Sequence, residues 1–330
     1  MVRSHRRALL AGLAAAGLAP GSLAVRAQPA YPDKPVRLAV GFPPGTAPDV
    51  LARLIGERLG ELLKQQVVVD NRAGAGGQIA AQNIAKSTAD GYHLLLADVG
   101  AIAIAPAASS KLPYDPAREL VGIAEVATVD FLLVVPTTSP IRNVADFVRA
   151  AKGQGAAARV NFGTFGAGTP GHFGAEMFGE MAGFKVEPVH YRATGDAVVA
   201  IVAGDVTGAF VSTALSAAQI KGGKMRGLAT TASKRSPLLA DVPTFTEAGF
   251  PQLNTSAWFC LFAPAGTPQP ILDLLNRQTI AALQSPDARA KITDAGFAVS
   301  GTSRAETERM LRSETQRWGG IVKASGFKVD

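Results

Sequence analysis

Val36-Arg37-Leu38-Ala39-Val40-Gly41-Phe42-Pro43-Pro44-Gly45-Thr46-Ala47-Pro48-Asp49 changes character twice in fourteen residues. Val36–Phe42 is a short, nearly unbroken apolar run of the kind found in a strand buried on both faces. The glycines and prolines then break it. From Leu51 onward Leu54, Ile55, Leu59 and Leu62 return at helical spacing, so a helix follows the turn directly. The alternation continues with a strand over Gln66–Asp70, a helix over Ile79–Lys86 and a strand over His93–Ala97. A βαβαβ start of this kind predicts a parallel sheet covered by helices on both faces.

The pattern then repeats. Strands are expected at Phe131–Pro136, Arg159–Gly163, Val186–Tyr191, Gly208–Val211 and Met225–Thr230. The helices between them are expected at Val144–Lys152, His172–Met181, Gly195–Ala203 and Thr213–Lys221. Trp258–Ala263 reads as one more strand, followed by helices at Gln269–Gln284, Pro286–Ala295 and Ser303–Ala324. The chain is therefore α/β, with two lobes, each a doubly wound, mostly parallel sheet. Leu120–Asp130 and Asn254–Trp258 are the candidate crossings between them. Lobe 1 is expected to be discontinuous, 28–130 plus 256–330, and lobe 2 to span 131–255. Two lobes joined by two crossings can close on a ligand held in the cleft between them.

A length of 330 residues suits two domains, and 47% apolar with 18% charged residues is a globular composition. Residues 1–27 read as a cleaved signal peptide: Arg3, His5, Arg6 and Arg7, then the apolar stretch Leu9–Ala19, then Val25-Arg26-Ala27. The Arg6-Arg7 pair also suits the twin-arginine route, with Sec export as the alternative. Removing Arg3, Arg6, Arg7 and Arg26 lowers the formal charge from +7 to about +3. The remaining basic residues are scattered, which argues against a nucleic-acid partner. Cys260 is the only cysteine, so no internal disulfide or cysteine-based zinc site is available.

Two strand-to-helix loops could carry chemistry. In the first, Thr46 and Asp49 stand at capping-box spacing, and Pro48 fits a first helical turn, whose amides have no partner within the helix. A helix N-terminus with open amides attracts a carboxylate; the alternative is a tight structural turn. The second loop runs from Asn161 to His172. Its glycines let main chain approach a ligand, Thr164 and Thr169 add hydroxyls, and His172 in the first helical turn could donate to an anion. The Asn71–Gly77 turn follows the second strand and reads as structural. Asp98, after the third strand, stands nearer the cleft, where ligands of doubly wound sheets collect. Tyr191 and Arg192 end a strand of the second lobe, and Arg192 could pair with a carboxylate.

Gly166-x-Gly168-x-x-Gly171 also matches a dinucleotide fingerprint, but the next strand ends in His190-Tyr191-Arg192 rather than an acid, and Pro170 falls inside the pattern. No G-x-S-x-G, H-E-x-x-H or P-loop lysine occurs. An exported dinucleotide-dependent enzyme is the minority reading, and neither catalysis nor a cofactor is expected.

Several segments together resemble the solute-binding receptors of tripartite tricarboxylate transporters, the Bug family. They are Tyr31–Arg37, Phe42–Gly45 with Asp49, Asn71–Gly77, Asp90-Gly91-Tyr92, Leu112–Pro116, Lys234–Pro237, Asp241–Thr244 and Trp258–Pro268. The resemblance implies a type II-like periplasmic-binding-protein fold, the Venus flytrap, and a periplasmic monomer. Such a protein delivers a small carboxylate, a di- or tricarboxylate or an aromatic acid, to the permease subunits of a tripartite transporter or to a sensor kinase. It also implies binding through Phe42, Pro43, Gly45, Thr46 and Asp49, facing Thr164, Gly168, Thr169 and His172. Thr46 stands where the family usually has glycine. Val211, followed by Ser212, stands where members often carry an aspartate that pairs with a ligand ammonium; its absence argues for an acid without an amino group.

Overall fold

The computed structural model describes residues 31–153, 155, 159–191, 194–253 and 255–328. The signal-peptide reading of 1–27, and Arg192, lie outside them. In chain order the elements are β1 (Val36–Val40), α1 (Ala47–Leu63), β2 (Val67–Asn71), α2 (Gln78–Ala85) and β3 (His93–Asp98). A π-type turn, Gly100–Ile104, leads into α3 (Ala105–Ala108), then α4 (Pro116–Glu119), β4 (Leu120–Pro136), α5 (Val144–Gly153) and β5 (Arg159–Thr164). Next come α6 (Pro170–Ala182), β6 (Lys185–His190), α7 (Thr194–Ala203), β7 (Gly208–Ser212), α8 (Thr213–Lys221) and β8 (Met225–Thr230). The chain ends with β9 (Ser256–Pro264), α9 (Gln269–Gln284), α10 (Pro286–Asp294), β10 (Ala298–Val299) and α11 (Arg304–Ser325).

The strands form one curled sheet in the order β2-β1-β3-β9-β4-β7-β5-β6, with β8 and β10 also paired to β4. β1 pairs in parallel with β2 and β3, and β5 with β6 and β7. The pairings of β4 and β9 are antiparallel. The sheet is therefore mixed at its centre, where sequence reading expects parallel pairing and a connecting segment. Leu120–Asp130 is itself strand: it is the first two-thirds of β4, paired with β9 from Leu120↔Pro264 to Asp130↔Ser256. Gly122, Glu125 and Asp130 interrupt its apolar pattern and hide it in the sequence. In the fold the Ser300 hydroxyl donates to Glu125 at 2.8 Å and the Ser256 hydroxyl to Asp130 at 2.5 Å. These bonds make the two acids tolerable in a half-buried strand.

One residue later β4 changes partners: Phe131–Val134 pair with β7 instead. Successive side chains of a strand point to opposite faces, and here they feed separate cores. Leu133 and Val135 join the phenylalanines Phe147, Phe162, Phe178, Phe210 and Phe245. Leu132 and Val134 join Ile201, Val206 and Val211. A third core, beneath α1, α9 and α11, holds Leu38, Leu51, Leu95, Phe262 and Trp318. Phe173 of α6 reaches this third core, 5.7 Å from the Trp318 ring. Glu314 of α11 accepts from both indoles of the chain, Trp258 at 3.1 Å and Trp318 at 3.0 Å, and so ties α11 to β9.

Candidate functional site

The first loop is held from behind. A Cβ at Gly41 would stand 2.4 Å from the Cα of Gly77, so the Asn71–Gly77 turn and the first loop touch backbone to backbone, and only glycine fits. Asn71 Nδ2 donates to the Phe42 carbonyl at 3.0 Å and to Asp49 Oδ1 at 2.9 Å. Asp49 Oδ2 accepts from the Gly45 amide at 2.8 Å and from Arg53 Nε at 3.0 Å. Burial pushes the Asp49 carboxyl up, but the hydrogen bonds from Arg53, Gly45 and Asn71 outweigh it, and it lies below the ordinary carboxylate range. The capping box expected of Thr46 and Asp49 does not form. The Thr46 hydroxyl turns back to donate to Pro43 O at 2.7 Å, and Asp49 reaches Gly45 instead. The first-turn amides of Ala47 and Asp49 therefore keep no acceptor among the described residues, and Pro48 has no N–H.

Two more helices begin beside the first. At α6, Thr169 Oγ1 donates to Gly166 O at 2.8 Å and accepts from the His172 amide at 3.4 Å, which leaves the Gly171 amide open. At α8, Ser212 occupies the cap position, but its hydroxyl makes no cap bond and finds no other partner among the described residues. The first turns of α1, α6 and α8 all line one cavity of about 610 Å³. Each carries the positive end of a helix dipole. The rest of the wall is apolar and aromatic: Phe42, Phe131, Phe165, Phe210, Phe259 and Phe297. Among the described residues no Lys, Arg or His lines it. The one ionisable group is Asp98, at the end of β3. It is 8% exposed. Burial pushes its carboxyl up to about 6, against the pull of the Ala101 and Gly100 amides. The Ala101 amide lies 3.3 Å from Oδ1.

Of the residues singled out in the sequence, Phe42, Gly45, Thr46, Asp98, Thr169 and Ser212 line this cavity. Pro43 and Asp49 build the turn without lining it. Thr164 is fully buried, and its hydroxyl shares a 2.6 Å hydrogen bond with His190 Nδ1. Gly168 lies under Phe327, whose ring would come within 3.2 Å of a Cβ there. His172 stands behind the loop, 3% exposed, with Nδ1 accepting from the Gly168 amide at 3.2 Å and its ring 5.1 Å from that of Phe327. Burial first, then the neighbouring His190, draw its pKa down to about 4, so it is neutral at pH 7; its Nε2 lies 3.8 Å from Glu176 Oε1 of the same helix and does not face the cavity. Tyr191 follows β6, its amide donating to Thr164 O at 3.1 Å, and lies outside the cavity. Val211 is fully buried in the core with Leu132 and Val206. The period of the strand puts Phe210 and Ser212, not Val211, on the cavity side. The specificity argument drawn from Val211 therefore has no footing in the geometry.

Sequence reading missed the six-phenylalanine wall and the α8 N-terminus. Ser212-Thr213 ahead of a helical run was the available signal for the latter. The Gly166–Gly171 fingerprint does join β5 to α6, but Phe327 covers Gly168, and a Cβ at Gly171 would stand 3.0 Å from Phe210 O. Its glycines serve packing within the protein. No three His, Cys, Asp or Glu side chains among the described residues gather as a metal set. No helix among them is long and apolar enough to cross a membrane.

Residues 51–327 match the family model TctC, described as tripartite tricarboxylate transporter family receptor. The protein BugT of Bordetella pertussis is 34% identical over 305 residues, which is 91% of each chain. Among solved structures, R. palustris Rpa4515 with adipate is 33% identical with a TM-score of 0.83, over 90% of this chain and 99% of that one. MatC from Rhodopseudomonas palustris with bound malate is 29% identical with a TM-score of 0.79, over 88% of this chain and all of that one.

Proposed function

The chain belongs to the tripartite tricarboxylate transporter receptors, which are periplasmic substrate-binding proteins rather than enzymes, and from that premise we propose that it captures a small organic carboxylate in the cavity where α1, α6 and α8 begin. The observation that supports this most is the meeting of three helix N-termini at one cavity whose described lining has no basic side chain. Main-chain amides and the hydroxyls of Thr46, Thr169 and Ser212 are then the groups that hold the anion, each helix end contributing about 0.3–1 kcal/mol or more where water is excluded. Two related structures hold small carboxylates, adipate and malate.

In this reading residues 31–130 with 256–328 form one lobe and 131–253 the other. The lobes turn about the two places where the chain passes between them, at Asp130-Phe131 and near Thr255. The Thr231 hydroxyl donates to Thr255 O at 2.6 Å and accepts from the Phe131 amide at 3.0 Å, so one side chain touches both passages. The closed form is what the membrane subunits of a tripartite transporter would read. The protein works as a monomer, exported by the signal in residues 1–27.

Calorimetry of the mature protein against a panel of mono- and dicarboxylates tests the assignment. At least one acid should bind stoichiometrically and stabilise the protein by about 2.7 kcal/mol at a hundredfold excess over Kd. Replacing Ser212, which lines the cavity at the start of α8, with Leu should weaken that binding at least tenfold. No binding by any carboxylate, or unchanged binding in the Ser212 variant, would count against it.

A further inference from the structure

Asp98 is an awkward residue for a carboxylate site. It is the one ionisable side chain among the described residues lining the cavity, and it is nearly buried. The Ala101 amide donates to Oδ1 at 3.3 Å, and the amides of Gly100 and of Asp98 itself also draw on the carboxyl. Opposite charges do not compensate it: the described lining has no cation, and the helix ends that could neutralise an anion belong to the first turns of α1, α6 and α8. A ligand with two carboxylates would share the cavity with a third negative charge, that of Asp98, and find no cation in the described lining to offset it. Like charges at short range in a dry cavity repel strongly. A ligand with one carboxylate and a hydrogen-bond donor at its far end meets no such conflict.

The shape of the wall adds to this. Phe42, Phe131, Phe165, Phe210, Phe259 and Phe297 all line the cavity, and ring–ring contacts reward a flat apolar body beyond its simple burial. Resting on the carboxylate-receptor reading above, we propose that the site selects a monocarboxylic acid with a flat, aromatic-like body and a hydroxyl or ammonium donor at the opposite end, that Asp98 accepts from that donor, and that the same Asp98 rejects aliphatic dicarboxylates. This reverses the inference drawn from Val211: an acid facing the ligand is present, on β3 of the first half rather than on β7.

The test is isothermal calorimetry at pH 8 on the mature wild type, Asp98→Asn and Asp98→Leu, with 4-hydroxybenzoate, benzoate and adipate as probes. In the wild type 4-hydroxybenzoate should bind at least tenfold more tightly than either of the other two. A hydrogen bond to a charged acceptor carries a contribution of that order. Asp98→Leu should erase the difference between 4-hydroxybenzoate and benzoate. Asp98→Asn should strengthen adipate tenfold or more, by removing the repelling charge. Circular dichroism and urea melts confirm that both variants fold, and the two variants make opposite demands, so loss of structure cannot imitate the result. Adipate binding the wild type more tightly than 4-hydroxybenzoate, with no gain in Asp98→Asn, overturns the role given to Asp98 and leaves the carboxylate-receptor reading standing. Failure of all three probes and of the wider carboxylate panel overturns both.

Discussion

Replacing Asp98 with Asn should stabilise the ligand-free protein at pH 8, and the gain should fade on acidification. Asp98 is 8% exposed, and burial pushes its carboxyl up to about 6. An unfolded aspartate titrates near 3.9. Above about pH 6 the carboxyl is charged in both states, and the native state bears the cost of burying it. As the pH falls from about 6 to about 4 the native protein binds a proton that the unfolded chain does not, so this residue's contribution becomes more favourable. Below about 4 it is neutral in both, and the cost is gone. A displacement of roughly two units at about 1.4 kcal/mol each sets a ceiling of about 3 kcal/mol. Asn keeps an oxygen for the Ala101 amide but is a weaker acceptor than a carboxylate, which takes back about 1 kcal/mol. The net gain at pH 8 should be about 1–2 kcal/mol, or about 2–5 °C in Tm for a chain of this size. Urea titrations of wild type and Asp98→Asn at pH 8, 6 and 4.5 measure it. A variant equal to or less stable than wild type at pH 8, or a gap that does not narrow on acidification, would show that the carboxylate is adequately solvated and that the electrostatic argument for the cavity is wrong.

Other perturbations bear on separate parts of the structure. Gly296 has φ +85°, and a Cβ there would stand 2.5 Å from the Cα of Ala214, which lines the cavity in the first turn of α8; Gly296→Ala should push the start of α8 out of place and weaken ligand binding at least tenfold by calorimetry, against about 1 kcal/mol of local strain in a urea melt. Gly41→Ala places a methyl on the Gly77 backbone and should cost about 2–4 kcal/mol in the same melt, with loss of binding. His172, with its pKa drawn down to about 4 from an unfolded value near 6.5, costs stability as the pH falls through that window, because the unfolded chain binds the proton first; His172→Phe should remove up to about 3 kcal/mol of the loss between pH 7 and 4. Glu314→Gln weakens the acceptor shared by Trp258 and Trp318 and should change the emission of both indoles without unfolding the protein.

Much of this molecule was legible because its first half is locally consistent. Apolar runs, glycine–proline turns and leucine spacing all favour the same elements, and β1, α1, β2, α2 and β3 begin and end within a few residues of where the sequence puts them. β4 was not legible as one strand, because Gly122, Glu125 and Asp130 break its pattern and the hydroxyls that satisfy the two acids arrive from Ser300 and Ser256, more than a hundred residues away. The site divides in the same way. Open amides at a strand-to-helix loop can be read from glycine, proline and threonine, which is how Gly45, Thr46 and Thr169 were found. Which face of a strand meets the cavity cannot be read locally where both faces are buried, so the family's aspartate position, Val211, gives no sign that Phe210 and Ser212 line the cavity instead. The His172 neighbourhood depended on Phe327, a contact across 155 positions.

A crystal structure of the mature protein with a bound carboxylic acid, preferably one retained through purification, is the most direct test. The account expects the carboxylate oxygens within about 3.2 Å of open amides at the starts of α1 and α6, Ala47 and Gly171 among them, with the Ser212 hydroxyl close by. An acid seated outside this cavity, or held there chiefly by a lysine or arginine side chain while those amides stay unengaged, would contradict it.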